Sequence, residues 1–344
     1  MIDWRVAEQV AGMVSGTPPR KPLGLDLAET VRDSAGHVSG YSGLHAEAGL
    51  PPVEEVDRGQ WVTANLTAFR GLLDPLSERA GASLGPGPLG PALRSAAALL
   101  LGAEVGALLG YLSTRVLGQY ELVLLDPLAP TRLLFVAPNL EEAVKSLSAD
   151  HDELVRWVAL HEVTHALQFG GVPWLREHMA GLMREMLASI EVSLDASRMF
   201  RLPRGDDLRA IVAAVRRGDL LSLVTTSGQR ALIERIQAVM AVIEGHAEHV
   251  MDAVGRDLLP SLPQLRAAFD RRRTQSSAPA RLVNRLLGLD LKLRQYVDGK
   301  RFCDAVVDRY GLETLNLVWS APGALPTLAE LSEPAVWVAR VAPA

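Results

Sequence analysis

The sequence predicts a mainly α protein with a small antiparallel β element, an α+β fold assembled around one long helix. Three observations carry this reading. Apolar residues recur at helical spacing through most of the 344 residues, the signature of amphipathic helices. Only two short apolar runs, residues 120–125 and 132–137, read as strands, joined by Asp126-Pro-Leu-Ala-Pro-Thr131. Residues 150–171 are periodic, free of Gly and Pro until Gly170, and open with Asp150 three residues before Glu153, a capping-box-like start.

In chain order, residues 1–54 are interrupted by Gly16-Thr-Pro-Pro-Arg20, Leu23-Gly24 and Gly36-His-Val-Ser-Gly-Tyr-Ser-Gly43. They predict a short helix and then a loop-rich N-terminal arm, with His37 and His45 facing solvent. Residues 55–344 predict a single mainly helical domain. A helix over 56–76 (Trp61, Val62, Leu66, Phe69) precedes a rigid Gly/Pro loop at 81–91. The apolar stretch 95–114 could just cross a bilayer, but Glu104 at its centre would cost about 2–4 kcal/mol in lipid. Its Gly102, Gly106 and Gly110 instead predict a helix buried in a soluble core against a close neighbour. Of the strand pair, 133–137 is the candidate edge for an extended substrate.

Beyond the long helix, 174–200 reads as an amphipathic helix carrying His178, a weak ligand candidate by proximity. Short helices follow at 208–215 and 220–224, then a long helix over 227–252 opened by Ser227. The tail predicts a charged surface loop at 271–280, helices at 282–297 and 302–310, and an apolar end around Trp337.

Composition narrows the function classes. The chain is 48% apolar and 22% charged, with a net charge of −5 and both signs interspersed. No basic excess points to nucleic acid. The N-terminal residues carry charge and no apolar run, which predicts no secretory leader. One cysteine, Cys303, cannot form an internal disulfide and reads as a small buried residue. The expected setting is cytoplasmic and reducing, with no membrane partner.

The chemistry concentrates in His161-Glu162-Val-Thr-His165. Two histidines four apart on a helix leave one face a turn apart, a separation that suits two imidazoles on one zinc ion. Glu162, rotated by about 100° from His161, is placed to act as general base toward a zinc-activated water. The bare pattern arises by chance in about one chain in a hundred of this size, and a polar helix face is the plain alternative. Downstream, Glu244, Glu248 and Asp252 stack at four-residue intervals. Such a column repels itself unless a cation compensates it. A catalytic zinc needs a third protein ligand and an open position. Glu244 is the first candidate and Glu248 the second, with His246 and His249 more distant. Glu248 or Asp252 would brace a ligand imidazole, and His246, Arg294 or Tyr296 would steady the oxyanion.

Three segments together resemble the zincin-like metallopeptidase type 2 family. They are His161-Glu-Val-Thr-His-Ala-Leu-Gln-Phe169, Glu244-Gly-His-Ala-Glu-His-Val-Met-Asp252 and Leu289-Asp-Leu-Lys-Leu-Arg-Gln-Tyr-Val-Asp-Gly299. That family holds candidate zinc hydrolases of actinobacteria and chloroflexi, associated with deazaflavin-coenzyme biosynthesis. The resemblance runs from about Val56 onward and implies a zincin-like helical fold around the His-Glu-x-x-His helix. In the wider gluzincin group the glutamate of a Glu-Gly-x-Ala segment is the third zinc ligand, which favours Glu244. The Asn usual before that glutamate is Ile243 here, and the aminopeptidase specificity motif is absent.

The sequence thus points to a zinc-dependent hydrolase, a metallopeptidase acting on peptide or amide bonds. His161, His165 and Glu244 are its metal ligands and Glu162 its catalytic base. A homo-oligomer is open. The alternative is a non-catalytic, zinc-stabilised scaffold or binding protein.

Overall fold

Strands β1 (Val53–Val56), β2 (Gly118–Glu121) and β3 (Arg132–Val136) form one mixed sheet in which β3 lies between the other two. A computed structural model of the chain describes residues 2–16, 18, 21–83, 90–126, 128–189, 227–274 and 289–342. The short helices expected at 208–215 and 220–224 lie outside the described residues, as do 275–280 of the expected surface loop.

Four consecutive β3 residues, Leu133, Leu134, Phe135 and Val136, are fully buried. Alternation explains how. Leu133 and Phe135 join the main core, whereas Leu134 and Val136 join a second cluster on the other face of the sheet. A strand covered on both faces is an unbroken apolar run, and β3 is central for that reason. The antiparallel pairing of β2 with β3 matches expectation, with Gly118 opposite Phe135 and Glu121 opposite Arg132. Being central, β3 offers no edge, so the edge role expected for 133–137 is not met; the edges of the sheet are β1 and β2. On the far side, β1 pairs parallel to β3.

Residues 1–54 are more regular than their glycines suggested. They fold into α1 (Trp4–Ser15), α2 (Leu27–Ser42) and the start of β1. Asp3 caps α1 and Asp26 caps α2 through their side chains. Gly12, Gly36 and Gly40 lie on open helix faces, where a glycine costs only about 1 kcal/mol of propensity. His37 and His45 are exposed as expected; His37 faces Asp33 and His45 bonds Ser39.

Helices α3 (Arg58–Ser83) and α4 (Gly90–Ser113) pack with α1 around the second cluster. The glycine ladder of α4 admits a close neighbour: a Cβ at Gly106 would sit 2.3 Å from the Ala7 carbonyl oxygen, and one at Gly102 2.4 Å from that of Asp3. The expected burial is not met. Only 22% of the apolar window of α4 is buried, and the helix is long and apolar enough to cross a membrane by length and composition. One face meets α1, leaving Leu99, Leu100 and Leu101 exposed.

The main core surrounds α6 (His151–Gly171), reached from β3 through α5 (Ala137–Leu147). Pro138 and Asn139, just past the second strand run, stand in the first turn of α5, where the missing N–H of proline is harmless. Around α6 lie α7 (Leu175–Ser189), α8 (Ser227–Leu258), α9 (Leu262–Thr274) and α10 (Leu289–Tyr310). The short helices α11 (Leu312–Asn316), α12 (Leu328–Ser332) and α13 (Pro334–Val341) close the core with Trp337, which is wholly buried. Cys303 is buried on α10, and burial pushes its thiol pKa up.

Candidate metal centre and active site

Asp150 starts α6 by accepting the Glu153 backbone N–H at 3.0 Å, and Asp152 and Glu153 place negative charge in the first turn. The next four turns are almost wholly buried, so α6 runs through the protein interior and fixes its side chains firmly. Its ligand face meets α8. Gly245 of α8 touches Gly299 of α10, and a Cβ at either would lie about 2 Å from backbone, 2.2 Å from Gly299 C and 1.9 Å from Ala241 O respectively. These two helices therefore pack backbone to backbone. Glu244, immediately before that contact, is set against α6.

The result is a convergence of three side chains. Nε2 of His161 and Nε2 of His165 lie 3.2 Å apart. Oε2 of Glu244 lies 3.6 Å from the first and 3.5 Å from the second. A tetrahedral ion about 2.0–2.1 Å from each donor needs donors spaced by about 3.3 Å. The donor set therefore fits a zinc ion in both chemistry and dimension. Among the described residues, His161, His165 and Glu244 are the group of histidine, cysteine and acidic side chains close enough to hold a metal.

Hydrogen bonds assign the imidazole tautomer. Gln168 Nε2 is 2.9 Å from the Ile243 carbonyl oxygen, which can only accept, so that atom is the amide nitrogen. Gln168 Oε1 therefore faces Nδ1 of His165 at 2.9 Å, and Nδ1–H donates to it. With Nδ1 committed to Gln168, Nε2 is the nitrogen left to bind a metal. The same Gln168 amide also donates to Nδ1 of His246 at 3.0 Å. Burial opposes charge on His165, but the Glu244 carboxylate outweighs it and raises the pKa to about 9. Without a metal the Nε2 position facing Glu244 therefore holds a proton, which a bound ion would displace.

Glu162 lies beside the ligand face, with Oε2 accepting the Tyr120 backbone N–H of β2 at 2.7 Å. Gly118 lets β2 come this near; a Cβ there would be 2.6 Å from Val158 Cγ1 and 2.8 Å from Glu162 Cγ. The carboxylate is thereby tied to the β2 edge of the sheet. It opens with His161, His165 and Glu244 onto a cavity of about 760 Å³, of the size usual for small-molecule and peptide clefts.

Several expectations change. In place of the expected bracing of an imidazole, the carboxylates of Glu248 and Asp252 pair with the Arg266 guanidinium, and Asp252 also takes Lys300 at 3.1 Å. Two side-chain cations thus neutralise the lower part of the acidic column, and Gln168 does the bracing. His249 is no ligand candidate: Nδ1 meets Asp304 at 2.7 Å and Nε2 meets the Tyr41 hydroxyl at 2.8 Å. His246 is fully buried behind Gln168 and absent from the cavity wall, and burial drives its pKa down to about 3. It is not an oxyanion donor. The side chains of Arg294 and Tyr296 lie outside those described. His178 stands on α7 against Trp174, apart from the ligand group. Sequence reasoning missed Gln168, whose only signal is its place three residues after His165 on an otherwise apolar helix.

Comparison with known proteins agrees with this architecture. The profile of a family described as zincin-like metallopeptidase matches residues 2–338. A crystal structure of a candidate hydrolase with a novel fold, from Chloroflexus aurantiacus, superposes with a TM-score of 0.73 at 31% identity, covering 100% of both chains. No curated protein matches the chain. The match over nearly the whole sequence, together with the helix that carries His161, Glu162 and His165, means that this chain belongs to the zincin-like metallopeptidase family.

Proposed function

We propose that the protein is a zinc-dependent hydrolase cleaving peptide or amide bonds, with His161, His165 and Glu244 holding the metal and Glu162 acting as general base. The observation that supports it most is the spacing of the three donors at 3.2–3.6 Å beside a carboxylate outside the set. A zinc ion so held supplies Lewis acidity, lowering the pKa of water and polarising a carbonyl. The remaining work belongs to the chain. Glu162, with one oxygen on the Tyr120 N–H, takes a proton on the other and returns it to the leaving amine.

The β2 edge supports a peptide or extended amide as substrate. Alternation along an antiparallel strand directs the backbone of Gln119 and Glu121 toward β3 and that of Gly118 and Tyr120 away from it, where the Tyr120 N–H is already taken by Glu162 and the Tyr120 carbonyl and the Gly118 backbone are left for a substrate chain. An extended chain laid there adds a strand beside Glu162.

The test is metal content with turnover. Purified protein is expected to hold one zinc per chain, and Glu162→Gln to lose about 10²- to 10⁴-fold in kcat with that zinc retained. Turnover unchanged in Glu162→Gln would remove Glu162 as the base, and no turnover by zinc-loaded wild type would leave the protein a zinc-stabilised scaffold.

A further inference from the structure

Four-residue steps along α6 place Trp157 one turn before His161 and Phe169 one turn after His165, each rotated by about 40° from its neighbouring histidine. The two ligand candidates are thus bracketed by aromatic rings, each about 6 Å further along the helix axis. Neither ring stands alone. Trp157 stacks on Phe269 of α9 with centroids 4.4 Å apart and planes at 25°. Phe169 stacks on Tyr120 of β2, at 5.9 Å and 26°. The Arg266 guanidinium also lies over Trp157, 5.8 Å from the ring centroid. All four aromatic residues line the cavity that holds the ligand group.

Each pair draws on two separate elements, so its position is set by the fold. Trp157 is 7% exposed and held from both α6 and α9. Such paired rings give the cavity an apolar wall with little freedom to lose on binding. An extended peptide advances about 3.3 Å per residue, so each pair lies within one or two residues of a bond positioned at the metal. We infer that this site selects extended peptides with bulky apolar side chains on both sides of the scissile bond, one group against Trp157 and Phe269, the other against Tyr120 and Phe169.

This inference rests on the hydrolase reading, and its test separates the two. Zinc-loaded protein is given internally quenched peptides, blocked at both termini, with Leu or Phe flanking the central bond on both sides. Companion peptides carry Ser or Asp on one side or the other. Each apolar-to-polar change is expected to lower kcat/KM by about 10- to 100-fold. Phe269→Leu and Phe169→Leu keep an apolar wall but remove one ring stack. Each should weaken aromatic preference on its own side only, with zinc content unchanged.

Hydrolysis without apolar preference, or a preference that neither variant alters, would overturn the inference and leave the hydrolase reading intact. Binding of the same peptides to zinc-loaded Glu162→Gln, followed by fluorescence anisotropy, reads selectivity without turnover. Apolar selectivity in binding with no cleavage by wild type would overturn the hydrolase reading instead. Absence of both would overturn the two together.

Discussion

Two stretches of α8, one turn apart, solve the same electrostatic problem differently. At the upper one Glu244 faces the imidazoles of His161 and His165, with donor atoms spaced for an ion. At the lower one Glu248 and Asp252 face Arg266, and Asp252 also meets Lys300. The lower pairings are closed: guanidinium and ammonium fill the space between the acids, and Asp304 and His249 extend the network to Tyr41. The upper corner gathers two imidazoles and a carboxylate, all able to act as metal ligands. Acid spacing along a helix therefore does not identify a metal site. What distinguishes it is which side chains the neighbouring helix presents.

The sharpest way to break this contrast is to exchange the roles. Glu244→Ala should strip the zinc, with an affinity loss exceeding the roughly 10- to 100-fold typical of an outer partner, read by competition with a chromophoric chelator. Glu248→Gln should keep zinc but unfold more easily, by about 3 kcal/mol, because Arg266 is left partly unpaired in a buried setting. Denaturant titration measures that loss. Metal loss from Glu248→Gln with retention in Glu244→Ala would reverse the assignment.

A finer probe is Gln168→Leu, which removes the acceptor that holds the His165 proton on Nδ1. Zinc affinity should fall by about 10- to 100-fold with the ligands themselves intact. A cobalt-substituted protein should report the altered imidazole as a shifted visible spectrum. Gln168→Glu, which keeps an acceptor toward His165, should recover part of the affinity.

The smallest expected effect lies far from either corner. Hydrogen bonds from Arg340, at 2.7 and 3.0 Å, hold the Glu330 carboxyl below the usual carboxylate range, although burial pulls the other way. With the folded value depressed, the stabilisation is present above the unfolded pKa of about 4.3 and is lost as pH falls through the folded value. Glu330→Gln should cost about 1 kcal/mol at pH 7. Unfolding curves of the two proteins should converge as the pH is lowered toward 3.

The sequence made the site's helices legible and left their surroundings obscure. Periodicity over 150–171 and the Glu244 column located α6 and α8, because both are long and their faces are chemically distinct. β1 escaped notice because Val53-Glu-Glu-Val56 has polar residues at its centre and a partner, Leu133–Val136, eighty residues on. α5 was hidden by Pro138, which signals a break unless it is known to fall in a first turn. Neither the choice of β2 as edge nor the partner of Glu248 could be read locally. Both depend on which distant element arrives alongside.

The glycine contact between α8 and α10 has a consequence for how the protein matures. Glu244 acquires its position only when Gly299 lies against Ala241 and Gly245, yet His161 and His165 are synthesised well over a hundred residues earlier. Domains form as their segments leave the ribosome, so the two histidines wait, lacking their acidic companion, until the stretch around Gly299 has emerged and docked. On the proposed zinc reading, metal uptake would then be a late event in biogenesis, and a ribosome stalled before that stretch would carry a chain whose three donors have not yet converged.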